Sequence, residues 1–280
     1  MTERMPAAQG DNPWLELDPS YETERDIDQD RSDFFEATAV DRVEELTVEA
    51  DRHASTSLES EIDESRLLIL GETHGVKENA DIIYTLFKQF DFRNLALEWD
   101  VRLQETVEEF LDGRELDFDT IEDSPDGRIT AEHFSLLKKL QQEGLIDKLI
   151  CFDEASQSDR WDARDENMAN NITSNLPENG RTLVVTGKLH AETGPIVLSD
   201  EEGPQHPMGE LITQQIPSAP SCKINYLSGQ FHNFGTKNFQ SELGPSEHSK
   251  ARLYKSEGGV YHFELPQAHS ATVPDPSRTL

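Results

Sequence analysis

Short apolar runs alternate with amphipathic stretches through the middle of this chain. Runs of consecutive apolar residues predict four buried strands, at residues 66–70, 94–99, 148–152 and 181–185. Apolar residues at helical spacing predict helices at residues 34–53, 76–90, 101–111, 130–144 and 160–176, and the polar residues 114–128 are predicted to form a loop. This alternation of strand and helix predicts an α/β fold with a mostly parallel sheet flanked by helices.

The pattern changes after His190. A short helix is predicted at residues 207–216, and strands at residues 222–227 and 252–263, the second interrupted by Gly258 and Gly259 as a hairpin would be. We therefore expect extra C-terminal strands beside the parallel sheet. The expected organisation is a disordered acidic leader (residues 1–32), a single α/β domain (33–266) and a disordered tail (267–280).

Acidic residues dominate the composition. The chain has 56 Asp and Glu against 25 Lys and Arg, a formal net charge of −31. Such a charge argues against nucleic acid and anionic membranes as partners, because phosphate groups would be repelled. The carboxylates are scattered along the chain, a composition that resembles proteins of a high-salt cytoplasm. Molar salt shortens the screening length to roughly 3 Å, which makes this self-repulsion tolerable.

Two cysteines, Cys151 and Cys222, lack the spacing of a disulfide framework or a thiolate metal site. No apolar stretch approaches the roughly 20 residues that a membrane-spanning helix needs. The first 30 residues contain neither a basic segment followed by an apolar one nor a lipid-attachment cysteine. A soluble, cytoplasmic protein is the expectation from these features.

One short pattern, Gly-x-x-His, occurs twice, each time directly after a predicted buried strand. It is found at residues 71–74, ending in His74, and at residues 187–190, ending in His190. Ligands of open α/β sheets bind at the carboxyl ends of the strands, so both histidines are expected to reach one pocket. Glu72 lies in the first turn near a predicted helix N-terminus, which favours a carboxylate. Each histidine could instead be structural.

The other two predicted strands also end in ionisable groups. Glu98 follows the second strand and Asp153 the third, although a carboxylate there could be a solvated edge in so acidic a chain. Arg164 falls on the inner face of its predicted helix, where an unpaired charge is costly. We therefore expect it to meet one of three carboxylates, Glu72, Glu98 or Asp153.

These motifs occur in the same order in one superfamily, that of the erythromycin esterases, ChaN-like proteins and Tiki peptidases. The chain resembles it over residues 66–212, through the Gly-Glu-Thr-His turn, Glu98, the Arg164-Asp165-x-x-Met168-Ala169 block and Gly187-x-x-His190-Ala191. The resemblance implies a three-layer α/β fold with its active pocket at the strand termini. Members include hydrolases of macrolide lactones, metal-dependent peptidases and haem-uptake proteins.

The expected function is hydrolysis of an ester, lactone or amide bond of a small-molecule substrate. His74 would be the general base, oriented by Glu72. Glu98 and His190 would complete the pocket, and Arg164 would stabilise the oxyanion. Asp153 and Asp165 are expected to contact the substrate.

Two alternatives remain open at this stage. In a metal-dependent version, His74, Glu98 and His190 would bind one zinc, manganese or cobalt ion that activates the water. In a different class altogether, the protein would bind haem or another iron-porphyrin, with His74, His190 or Tyr84 as axial ligand.

Overall fold

A mostly parallel sheet forms the centre of the protein. The computed structural model describes residues 27–39, 42–116, 120–121, 126–154, 161–197, 203–239 and 250–274. Within these residues the strands are β1 (Val48–Ala50), β2 (Leu67–Glu72), β3 (Phe92–Asp100), β4 (Lys148–Asp153), β5 (Arg181–Gly187), β6 (Ile196–Val197), β7 (Pro204–Gln205), β8 (Ser221–Tyr226), β9 (Gln230–His232), β10 (Thr236–Asn238), β11 (Ala251–Lys255) and β12 (Tyr261–Leu265). The helices are α1 (Ile27–Ala37), α2 (Arg52–Ser65), α3 (Asn79–Phe90), α4 (Gln104–Leu111), α5 (Ala131–Gln142), α6 (Trp161–Asn175) and α7 (Met208–Gln215), with a 3-10 turn at Val101–Leu103.

Eight of the described strands form the central sheet, in the order β1-β11-β12-β8-β2-β5-β3-β4. Neighbouring strands are parallel except for the antiparallel pair β11 and β12. The four strands predicted from apolar runs, β2, β5, β3 and β4, are adjacent and parallel. Their carboxyl ends therefore share one edge of the sheet, which we call the site edge.

Helices cover both faces of the sheet, as a three-layer fold requires. Alternate residues of a strand point to opposite faces, and in β2 Leu68 and Leu70 pack in the larger core with α2, α3 and α5. Leu67 and Ile69 pack instead in a second core with α6 and α7. Both faces of β2 are buried, which explains why its sequence is a continuous apolar run. The predicted α/β fold class is confirmed.

The amino-terminal helix prediction over residues 34–53 is wrong. In the described residues α1 ends at Ala37, β1 pairs in parallel with β11, and a new helix, α2, begins at Arg52. Asp51 caps α2 by accepting a hydrogen bond from the backbone N–H of Ala54 at 2.9 Å. An Asp at this position favours a helix start, so the range of the one predicted helix is divided among α1, β1 and the start of α2.

Both expected disordered ends contain ordered structure. Helix α1 begins at Ile27, inside the expected leader, whose first 26 residues lie outside the described part. At the other end, the Ala271 N–H donates to the Gly75 carbonyl at 2.9 Å, and Thr272 accepts from the Ala131 N–H at 2.8 Å. Residues 267–274 thus pack beside the site edge, where Ala268 is buried. Residues 275–280 lie outside the described part.

The extra C-terminal strands are present. β8 matches the first predicted strand, and the second prediction resolves into β11 and β12, joined as an antiparallel hairpin around Gly258 and Gly259. β9 and β10 form a separate two-stranded sheet. Among the described helices, none combines the length and apolar character needed to cross a bilayer.

Candidate active site

The site edge brings together ionisable side chains from distant parts of the chain. Glu72 ends β2, Glu98 lies near the end of β3, and Asp153 ends β4. His74 and His190 lie in the turns after β2 and β5. In the parallel pairing of β2 with β5, Glu72 lies opposite Gly187, so the two Gly-x-x-His turns lie side by side. Nε2 of His74 and Nε2 of His190 both lie within 4 Å of the Glu98 carboxylate, at 3.7 and 3.8 Å.

His74 is held between two carboxylates. Its Nδ1 lies 3.1 Å from Oε1 of Glu72, and its Nε2 lies 3.7 Å from Oε2 of Glu98. The His74 side chain is 20% exposed, whereas both glutamates are buried. Burial alone would lower the pKa of His74, but the Glu72 hydrogen bond and the charges of Glu98 and Asp126 raise it above its usual 6.5.

Glu98 lies within 4 Å of both histidines and both arginines of the site. Its Oε2 accepts hydrogen bonds from the Thr186 hydroxyl at 2.6 Å and the Gly187 N–H at 2.7 Å, and its Oε1 accepts one from Arg164 at 2.8 Å. Burial opposes ionisation here, but the nearby charges of His190, His74 and the arginines outweigh it and hold the pKa of Glu98 far below its usual range. Glu98 is therefore ionised at any physiological pH.

His190 is oriented by a fully buried carboxylate. Its Nδ1 lies 2.9 Å from Oδ1 of Asp165, which also accepts from the Met208 N–H at 2.6 Å. Its Nε2 points toward Glu98, 3.8 Å from Oε1. Asp165 has no exposed surface. The expectation that Asp165 contacts a substrate is therefore corrected: it lies behind His190 and positions that ring.

Arg164 pairs with two of its three predicted partners. It donates to Glu98, and to both carboxylate oxygens of Asp153 at 3.0 and 2.8 Å. Glu72, the third candidate, is engaged by His74 instead. Asp153 is 1% exposed and bonded to arginines, so its role is to hold them, and the expectation that it touches a substrate is corrected as well.

Arg128 and His133 belong to the site and were not predicted from the sequence. Arg128 donates to Asp153 at 2.6 Å and to Asp126 at 2.7 Å, and its Nη1 lies 3.6 Å from Glu98. Arg128 ends the segment predicted to be a polar loop, residues 114–128, and its local sequence does not mark it as a site residue. His133 lies on α5, one turn after the cap Thr130, and its Nε2 lies 3.9 Å from Oε2 of Glu72.

His232 connects β9 to the turn after β2. The backbone N–H of His232 donates to the Gly75 carbonyl at 2.9 Å, which attaches β9 to the turn that carries His74. Gly75 has a φ of +71°, and a Cβ there would lie 2.0 Å from the His232 carbonyl oxygen. Glycine is therefore required at this close crossing.

A small cavity lies at the centre of the site. It has a volume of about 10 Å³, close to that needed by one water molecule. It is lined by Glu72, His74, Leu97, Glu98, Trp99, Arg128, His133 and Val185. Charged and polar groups thus surround the cavity on several sides.

The proposed metal ligands do not fit a metal ion well. Both oxygens of Glu98 are engaged by hydrogen-bond donors, and two guanidinium groups lie within 4 Å of its carboxylate. The guanidinium groups of Arg128 and Arg164 thus already supply positive charge beside Glu98, the carboxylate that would bind the ion. Within the described residues, no three His, Cys, Asp or Glu side chains are grouped so as to hold a metal.

A porphyrin does not fit the described site either. The cavity beside His74, which His190 does not line, is water-sized and has five charged or ionisable side chains among its eight lining residues, whereas haem needs a large apolar slot. Tyr84, the third candidate ligand, donates to Glu143 at 2.7 Å, and two lysines lie over its ring. The Tyr84 hydroxyl is therefore already bonded to a carboxylate.

Comparison with known proteins reveals similarity in fold. No family model and no curated protein matches the sequence. A mutant of an erythromycin esterase, solved in its open conformation, is similar with a TM-score of 0.57 at 11% identity, over 80% of this chain and 96% of its own. A succinoglycan biosynthesis protein has a TM-score of 0.55 at 10% identity, over 87% and 98%. A Bacillus cereus protein has a TM-score of 0.52 at 10% identity, over 89% and 99%. At such identities the comparisons establish a shared α/β fold, the one that the sequence resemblance implied.

Proposed function

We propose that this protein is a hydrolase of a small-molecule ester, lactone or amide, with His74 as its general base. The observation that carries this proposal is the Glu72–His74 pair at the site edge. The carboxylate holds Nδ1 at 3.1 Å, so that the N–H lies on Nδ1 and the lone pair of neutral His74 lies on Nε2. A histidine with one nitrogen fixed by a carboxylate and the other directed into a polar site can accept a proton from water.

The proposed reaction begins at His74, whose side chain is 20% exposed. Nε2 of His74 takes a proton from a water molecule as the water oxygen attacks the carbonyl carbon of the substrate. The C–O or C–N bond of the tetrahedral intermediate then breaks, and His74 returns the proton to the leaving oxygen or nitrogen. Protons balance over the cycle, and the products are an acid and an alcohol or amine.

The two arginines have separate roles in this proposal. Arg128 lines the central cavity and is 23% exposed, so it would supply positive charge to a substrate carbonyl oxygen there. Arg164, first expected to stabilise the oxyanion, directs two of its nitrogens at Glu98 and Asp153. It therefore keeps Glu98 ionised and in place, and Glu98 in turn faces both histidines.

The test is turnover by the purified wild-type protein in molar salt. Activated aryl esters, lactones and anilides are offered separately, each with and without a chelator. We expect hydrolysis of at least one class, unchanged by the chelator. Absence of hydrolysis together with tight haem binding, detected by a shift of the Soret band, would overturn the proposal in favour of the porphyrin-binding alternative. Activity abolished by the chelator and restored by one divalent metal would contradict the metal-free mechanism.

A further inference from the structure

Two buried polar atoms beside the proposed base have no hydrogen-bond partner in the described residues. They are Oε2 of Glu72 and Nε2 of His133, which lie 3.9 Å apart. Glu72 is 3% exposed and His133 is 2% exposed. Buried polar groups without partners are costly, so two such atoms facing each other at this separation require an explanation.

The space beside these atoms suits one water molecule. Glu72 and His133 both line the central cavity, whose volume of about 10 Å³ is close to the minimum for a single water. Five of its eight lining residues are charged or polar, which distinguishes it from the wholly apolar cavities that stay empty. A separation of 3.9 Å is too long for a direct hydrogen bond but short enough for one oxygen atom to reach both groups.

The contacts of His133 favour one position for its ring proton. The Thr130 hydroxyl oxygen lies 3.0 Å from Nδ1 and also accepts the backbone N–H of His133 at 3.3 Å. A hydroxyl can donate as well as accept, so Thr130 can direct its hydrogen at Nδ1. The tautomer with the ring proton on Nε2 is the one that also presents a donor to the buried carboxylate of Glu72. Burial lowers the pKa of His133, which keeps the ring neutral. Nε2–H is thus a donor that faces the acceptor Oε2 of Glu72.

We infer that one buried water molecule accepts a hydrogen bond from Nε2–H of His133 and donates one to Oε2 of Glu72, which makes His133 a positioning residue for the proposed base. Thr130, His133, the water, Glu72 and His74 then form one chain of hydrogen bonds. The water binds Oε2 of Glu72, and Oε1 of the same carboxylate orients His74. The catalytic consequence rests on the proposed function, but the water site does not.

The water site is tested without any substrate. Nitrogen-15 chemical shifts of the His133 ring report its tautomer, and a crystal structure of the wild-type protein at atomic resolution locates the water. We expect the Nε2–H tautomer and one water within hydrogen-bond distance of both atoms. The Nδ1–H tautomer, or a site without a water, would overturn the inference.

The positioning role is tested with variants of His133. His133→Phe removes the donor, and His133→Gln retains an N–H donor at the corresponding place. We expect kcat for an activated ester to fall about tenfold in His133→Phe with little change in KM, and to recover to within about threefold of wild type in His133→Gln. Glu132→Gln is the matched control, because Glu132 is buried on the same helix but bonds to Thr272.

The outcomes separate this inference from the proposed function. A His133→Phe protein that folds and keeps wild-type kcat would overturn the positioning role. If His133→Phe does not fold, the tautomer of His133 and the presence of the water in the wild-type protein decide whether the inference stands. A wild-type protein with the expected tautomer and water but no hydrolysis would leave the water site standing and would refute the proposed function.

Discussion

Arg164 donates a hydrogen bond to Glu98 at 2.8 Å, although the two residues are 66 positions apart in the chain. The same guanidinium contacts both oxygens of Asp153, so it joins the ends of β3 and β4. Two carboxylates this close would repel each other strongly without a cation. Arg164 therefore offsets the repulsion between Glu98 and Asp153, and both histidines lie close to Glu98.

Replacing Arg164 should destabilise the fold as well as the site. In Arg164→Gln, Glu98 and Asp153 remain buried with less compensating charge, and breaking such a pair costs about 3–5 kcal/mol. Urea unfolding monitored by circular dichroism measures the loss. The exposed pair of Arg114 and Glu109 provides the control, since Arg114→Gln should cost less than about 1 kcal/mol. Equal losses in the two variants would show that Arg164 does not stabilise the site edge.

The activity should depend on pH through His74. Its pKa is raised above 6.5, and only the neutral ring can accept a proton, so kcat/KM should fall as the pH decreases through that raised value. Glu72→Gln removes both the charge and the carboxylate hydrogen bond, so the acidic limb of the profile should move to lower pH while the maximal rate decreases. An acidic limb that stays in place in Glu72→Gln would show that another group controls it.

Gly187→Ala should reduce activity more than stability. Gly187 donates to Glu98, and a Cβ there would lie 3.1 Å from Nε2 of His74, a tight contact with the atom proposed to accept the proton. We expect kcat to fall by about tenfold or more with a thermal midpoint close to wild type. Gly194→Ala is the control, because a Cβ at Gly194 meets no atom within 4 Å. A fully active Gly187→Ala would place the reacting atoms elsewhere.

The net charge of −31 should make folding dependent on salt. Screening reduces repulsion between carboxylates, so the thermal midpoint should rise substantially between dilute buffer and molar potassium chloride. Differential scanning calorimetry at several salt concentrations measures this shift. A midpoint that does not respond to salt would indicate that the charge serves another purpose, such as a basic partner.

The strands at the site edge could be predicted because they are buried on both faces. β2 and β5 are almost wholly buried, and strands of this kind have continuous apolar sequences that stand out from the acidic background. The region of residues 34–53 could not be predicted in the same way. Its apolar residues belong to elements that pack on α5 and β11, which lie far along the chain, and local spacing does not contain that information.

The candidate site was predictable where residues follow a strand directly. Glu72, His74, Glu98 and His190 lie at the site edge because the strands before them set their positions. Arg128 and His133 enter from the segment before α5 and from α5 itself, and their approach depends on how that helix packs against the sheet. Nothing in their local sequence distinguishes them from surface loop and helix residues.

Replacement of His74 tests the central claim most directly. Hydrolysis of an activated ester is measured for the wild-type protein, His74→Ala and His206→Ala in molar salt, with circular dichroism to confirm folding. His206 is the matched control, because its Nδ1 lies 3.1 Å from Glu210 just as that of His74 lies 3.1 Å from Glu72, but His206 is exposed and outside the site. Our account predicts a loss of about 10²-fold or more in kcat for His74→Ala and wild-type activity for His206→Ala. A folded His74→Ala protein with undiminished hydrolysis would contradict it.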